Sequence, residues 1–89
     1  MNRRTANSYV TVAERLGVSY GHLYHVLHLR RSSPALLLTS ERLYPELIEK
    51  QDGSVRYSLH KSCDFHREAY RWDSRANRYV LKDKYAKYR

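Results

Sequence analysis

The stretch TVAERLGVSYGHLYHVL, residues 11–27, constrains the fold more than any other part of the chain. Thr11 followed by Glu14 matches a capping box, in which hydroxyl and carboxylate satisfy amide donors at a helix start. A helix from about Val12 to Leu16 is expected. Gly17 readily takes the left-handed conformation that stops a helix, Val18 returns apolar bulk to the core, and Ser19 suits the N-cap of a second helix. The connection is therefore a tight turn.

At about 100° per residue, the second helix gathers Leu23, Val26, Leu27 and the stem of Arg30 on one side. Gly21, Tyr24, His25 and His28 fall opposite. Two short helices joined by a glycine-containing turn form a helix-turn-helix, in which the first braces a second that enters a major groove. The stretch resembles the helix-turn-helix pattern, which implies that Ala13 is the small residue where the helices approach, Gly17 the turn, and Val18, Leu23 and Val26 the core positions.

Eighty-nine residues suffice for one domain with a small core. Seventeen Lys and Arg against nine Asp and Glu give a formal charge of +8, which points to a polyanionic partner: nucleic acid or an anionic membrane surface. Charge alone does not choose between them. The longest aliphatic run, Ala35 to Leu38, is far short of a bilayer span, and polar Thr5-Ala6-Asn7-Ser8 follow Met1-Asn2-Arg3-Arg4, so a soluble, intracellular protein is expected. The single cysteine, Cys63, fits a reducing compartment, with cytoplasm the default. Nine tyrosines are spread along the chain without repeat or low-complexity tract, and can serve as core, phosphate donors or stacking platforms.

Residues 1–8 read as a flexible basic arm, residues 9–73 as the folded domain, and residues 74–89 as a basic extension. Ser32-Ser33-Pro34 breaks the chain, and a short helix or strand follows before Pro45 interrupts. LIEKQDGSVRYSLH, residues 47–60, reads as two strands around Asp52-Gly53, because Asp-Gly favours a primed hairpin turn and Val55, Tyr57 and Leu59 alternate with polar residues. A hairpin there is a wing. Ser62 then caps a closing helix from about Cys63 to Trp72, with Phe65, Ala69 and Trp72 at helical spacing. The tail extends that helix, or forms a strand or a second helix through Leu81, Tyr85 and Tyr88. The fold expected is mainly α with a small β-hairpin, a winged helix-turn-helix.

In order, the capped helix pair, LYPELIEKQDGSVRYSLHKS and a helix beginning CDF resemble the winged-helix phage excisionases, the AlpA-like relatives of MerR DNA-binding domains. Tyr44-Pro45 stands at that family's proline stretch, Asp52-Gly53-Ser54 at its wing tip, Arg56-Tyr57 on its return strand, and Lys61-Ser62 before its closing helix. About ten residues, Ser32 to Glu41, lie where the family has a few. A rival resemblance starts from VSYGHLYHVLHLRRSSPALL, which is similar to the Cro and phage-repressor class, where a basic turn and a Ser-Pro-initiated helix follow the recognition helix. Both imply DNA. The first implies a phage or mobile-element excisionase, transcriptional regulator or both, working without catalysis or cofactor at the nucleoid of a bacterial host, with itself and an integrase as further partners; the second implies an operator-binding repressor.

Tyr20, Gly21, His22, Tyr24, His25 and His28 are the residues placed to meet base edges or phosphates, with Ser19 donating to a phosphate at the helix start. Arg30 and Arg31 either complement the helix dipole or contact phosphates. Lys50, Gln51, Ser54 and Arg56 surround the expected wing tip and face a minor groove or backbone. Basic residues from Arg67 onward, including Arg71, Arg75 and Arg78, lengthen the footprint, join protomers or merely solubilise the tail. His22, His25 and His28 recur every third residue, and Cys63 with His66 gives Cys-x-x-His, but that histidine spacing drifts by about 60° per step, which makes joint zinc ligation awkward. No nucleophile motif, glycine-rich phosphate cradle or paired-carboxylate constellation supports an enzyme. Two other partner classes remain: an acidic protein bound as by an anti-repressor, and a single strand stacked on tyrosines.

Overall fold

A computed structural model describes residues 8–86, so the expected arm before Ser8 and the tail from Lys87 to Arg89 lie outside it. The chain is mainly helical with one two-stranded antiparallel hairpin. It begins one turn earlier than the capping box implies: Ser8, extended at φ −92° and ψ 166°, accepts the Thr11 amide on its hydroxyl, and α1 runs Tyr9–Leu16. Thr11 is thus inside the helix, and the extra turn brings Tyr9 against the core. Gly17 then takes φ 71°, with its own amide bonded to Glu14 O and that of Val18 to Ala13 O. This is the left-handed helix stop expected of glycine.

Ser19 accepts the His22 amide at 3.1 Å and opens α2, Tyr20–Leu27. Leu23, Val26 and Leu27 are buried, and Ala13 lies in the same core. The helix stops before Arg30, so the arginine stem is not part of its apolar side; Arg30 is exposed in the following loop. Leu29 takes φ 63° there, and the Arg30 amide returns to His25 O at 2.7 Å.

Ser33 and Pro34 begin α3, Pro34–Leu43, where proline at the first helical position sacrifices no hydrogen bond. Leu36 to Ser40 are all buried, as in a helix enclosed on every side. It contacts α2, α5, the one-turn α4 (Glu46–Glu49) and the second strand. Tyr44-Pro45 separates α3 from α4, so Pro45 interrupts as expected.

The expected wing is absent from residues 47–60, which are the end of α4 and the start of α5, Gly53–His66. Asp52 decides this: its carboxylate accepts the Ser54 amide at 2.8 Å and the Val55 amide at 3.4 Å, acting as a helix N-cap rather than a turn residue. Those bonds hold the carboxyl below its usual range. Val55, Leu59 and Cys63 recur every fourth residue toward the core, while Tyr57, which a strand would place beside Val55 and Leu59, is 65% exposed. The closing helix is likewise displaced, since α5 ends at His66 and Tyr70–Asp73 is strand β1.

Strand β1 pairs with β2, Arg78–Leu81, in the register Tyr70↔Leu81 and Trp72↔Tyr79. The hairpin therefore crosses the expected domain limit at residue 73. Asp73 accepts the Arg75 amide at 3.0 Å, and Asn77 supplies the left-handed residue at φ 58°. Tyr79 donates its amide to Thr39 of α3 at 2.9 Å, and the Arg42 guanidinium lies 4.2 Å from the Trp72 ring centre. A short α6, Asp83–Ala86, follows. Among the described residues, no helix is long and apolar enough to cross a membrane.

Among the described residues, a side chain built on Gly17 meets nothing within 4 Å, so Gly17→Ala costs conformation rather than space. We expect a loss of roughly 1 kcal/mol, read as a lower urea midpoint with an unchanged slope.

Candidate nucleic-acid interface

Residues 20, 24 and 28 stand one helical turn apart, and all three are aromatic. Their rings form a ladder: Tyr20 and Tyr24 stack at 5.8 Å, Tyr24 and His28 at 3.9 Å. Nδ1 of His28 donates to Tyr24 O at 2.8 Å, which fixes the imidazole over the tyrosine. Tyr9 packs against all three, 5.5 Å from Tyr24 and 6.2 Å from Tyr20. Part of the polar stripe on α2 is therefore half-buried bracing between α1 and α2. Its open portion is the first turn: Ser19 is exposed, Tyr20 is 48% exposed, and Gly21 and His22 lie beside them.

His22 accepts from Arg31 at 3.4 Å, which draws the loop after α2 back toward its start. His25 is half-buried, and its Nδ1 finds no hydrogen-bond partner among the described residues. Arg30 and Arg31 are exposed and rim a cleft that Ser62 and His66 of α5 close from the far side.

Lys50, Gln51, Ser54 and Arg56 do not surround a wing tip; they belong to the α4–α5 joint. Gln51 is 8% exposed, and its amide donates to the Tyr9 hydroxyl and to Leu47 O. Lys50 places its ammonium 5.2 Å from the Tyr9 ring centre. Tyr9 thus brings this joint to the aromatic ladder, and burial there raises its phenol pKa. Arg56 donates to Glu49 O and Gln51 O, both at 3.1 Å, satisfying carbonyls where α4 ends. Ser54 hydrogen-bonds to Asp52 in the first turn of α5. Of this group, Lys50 alone stands exposed beside the ladder.

Sequence reasoning missed Tyr9, because it lies before the capping box, and it left the arginines of WDSRANRYVL in a shapeless tail. The signal was present in that segment, with Tyr70 and Trp72, then Tyr79 and Leu81, alternating on either side of Asp73 and Asn77.

No three His, Cys, Asp or Glu side chains among the described residues converge as a metal site. Cys63 is fully buried, and burial, reinforced by the neighbouring Glu41 carboxylate, pushes its thiol from 9.0 up to about 12. A thiol held protonated is a poor nucleophile. In the unfolded chain Cys63 ionises near 9.0, whereas in the fold it keeps its proton to about 12. Its stabilising effect is therefore complete below the lower value and lost as pH rises toward the upper, with Tyr9 acting in the same direction. Denaturant midpoints should fall between about pH 9 and 11, less steeply in Cys63→Ala. A maleimide at neutral pH should label Cys63 only on unfolding.

No family model, curated protein or solved structure matches this chain.

Proposed function

We propose that the protein binds double-stranded DNA through a helix-turn-helix, α1 and α2, with the first turn of α2 presented to a major groove. The observation that carries this is Gly21. Replacing glycine by alanine where the backbone accepts it stabilises a protein by roughly 0.5–1 kcal/mol, yet among the described residues a side chain built at Gly21 meets nothing within 4 Å. The fold does not require it. A partner whose backbone approaches α2 at this point does, and Ser19, Tyr20 and His22 flank the spot. The charge of +8 supplies the attraction to phosphates, and Arg30, Arg31 and Lys50 are exposed to meet them.

The order of elements favours an operator-binding regulator of the phage-repressor kind over an excisionase. Residues 47–60, where the excisionase resemblance puts a wing, hold no strand and are helical at 47–49 and 53–60, and Ser33-Pro34 opens α3 directly after the basic turn. Tyr24 stacks on His28 and meets Tyr9 edge-on, which leaves fewer ring faces for a single strand. A phage or mobile element is the proposed source, and control of transcription the proposed role.

Labelled duplex titrated at several salt concentrations should show a steep salt slope and, against bulk competitor, a surviving preference for one site. Gly21→Ala separates fold from function: it should raise stability by roughly 0.5–1 kcal/mol while weakening duplex binding. A stabilised variant with unchanged affinity would remove α2 from the interface.

A further inference from the structure

Strand register puts Trp72 and Tyr79 on the face of the hairpin that packs on α3, and Arg71 and Arg78 on the other. Arg75 sits between them in the connecting turn. All three arginines are exposed, and among the described residues no carboxylate lies within ion-pair distance of them. The nearest acid in sequence, Asp73, directs its carboxylate to the turn amides of Arg75 and Ala76. The hairpin is also fixed in place, by the Tyr79 amide on Thr39 and the Trp72 ring against Arg42.

Its turn faces the proposed reading helix. Ala76, Asn77 and Arg78 of the hairpin line a groove of about 310 Å³ together with Arg15, Leu16, Val18 and His22 of the helix pair and its turn. Its lining joins apolar Leu16, Val18 and Leu36 to the arginines Arg15 and Arg78. Among the described residues, no acidic side chain lines it. A groove lined by apolar side chains and arginines, with no acid, matches a sugar-phosphate strand, whose deoxyriboses are apolar and whose phosphates are anionic.

We propose that the hairpin is a second DNA-contacting element, which holds one backbone strand of the duplex against the start of α2. Arg78 binds a phosphate at the rim of the groove, and Arg71 and Arg75 bind phosphates along the outer face of the hairpin. This rests on the DNA reading above and extends the interface to residues 70–81, well beyond the helix pair. Backbone contacts of this kind position the protein and carry no sequence information.

The test uses the full chain with Arg71, Arg75 and Arg78 all changed to Gln, titrated with mixed-sequence and selected duplexes over a range of salt. Removing the cation from one phosphate lowers the slope of log affinity against log salt by about 0.9, so the triple variant should show a slope smaller by roughly 2 to 3. Affinity should fall by a similar factor for all duplexes, leaving the site preference intact, while Lys61→Gln on α5 leaves the slope unchanged. Should the triple variant fail to fold, Arg75→Glu in the exposed turn gives the same reading, with a slope reduced by about 1. A wild-type slope in a folded hairpin variant overturns this proposal and leaves the helix reading standing. A wild-type protein that binds no duplex removes both.

Discussion

The proposed reading helix is set off at both ends by a residue with positive φ, Gly17 at the end of α1 and Leu29 after α2. Each stops its helix with the same pair of bonds: the left-handed residue's amide to a carbonyl three back, and the next amide to one five back. Gly17 does this without strain. Leu29 bears a steric penalty of roughly 1–2 kcal/mol, because a side chain in that conformation crowds its own carbonyl. The result is a chain that leaves α2 abruptly, with the amides of Arg30 and Arg31 both turned back to His25 O. Neither arginine continues the helix, and both are exposed.

The two-helix unit is too small to hold itself, so its packing comes from elsewhere in the chain. Tyr9 is the joint: its ring meets Tyr20, Tyr24 and His28, and its hydroxyl accepts from Gln51, 42 residues away. Gln51 is buried and would be costly there unpaired. It directs its amide to Tyr9 and Leu47 and its backbone carbonyl to Arg56. Polar groups thus define how α1, α4 and α5 meet, while Leu23, Leu27, Leu38 and Leu59 fill the space between.

What was legible in the sequence was whatever depended on neighbours in the chain. Gly17, Ser19 and the apolar positions of α2 declare themselves, because caps and helical periodicity are local chemistry. Asp52-Gly53 misled for the same reason: the pair suits a hairpin turn and a helix start equally, and three alternating residues are too few to tell a period of two from one of 3.6. The choice was made by Leu59 and Cys63, which reach the core together only from a helix. The ladder on α2 was half legible. Spacing put Tyr24 and His28 on one face with Gly21 and His25, but did not show that Tyr20 would join them or that Tyr9 would cover them, since that packing depends on Gln51 far along the chain.

Thr39 is 2% exposed, gives its hydroxyl proton to Ala35 O at 2.7 Å, and receives the Tyr79 amide on the same oxygen. One interior hydroxyl therefore registers the outlying hairpin to the central helix. The seat of that arm is thus held in part from inside, at a position that carries no charge. A change at Thr39 would shift where the hairpin's arginines stand while leaving every surface charge as it is.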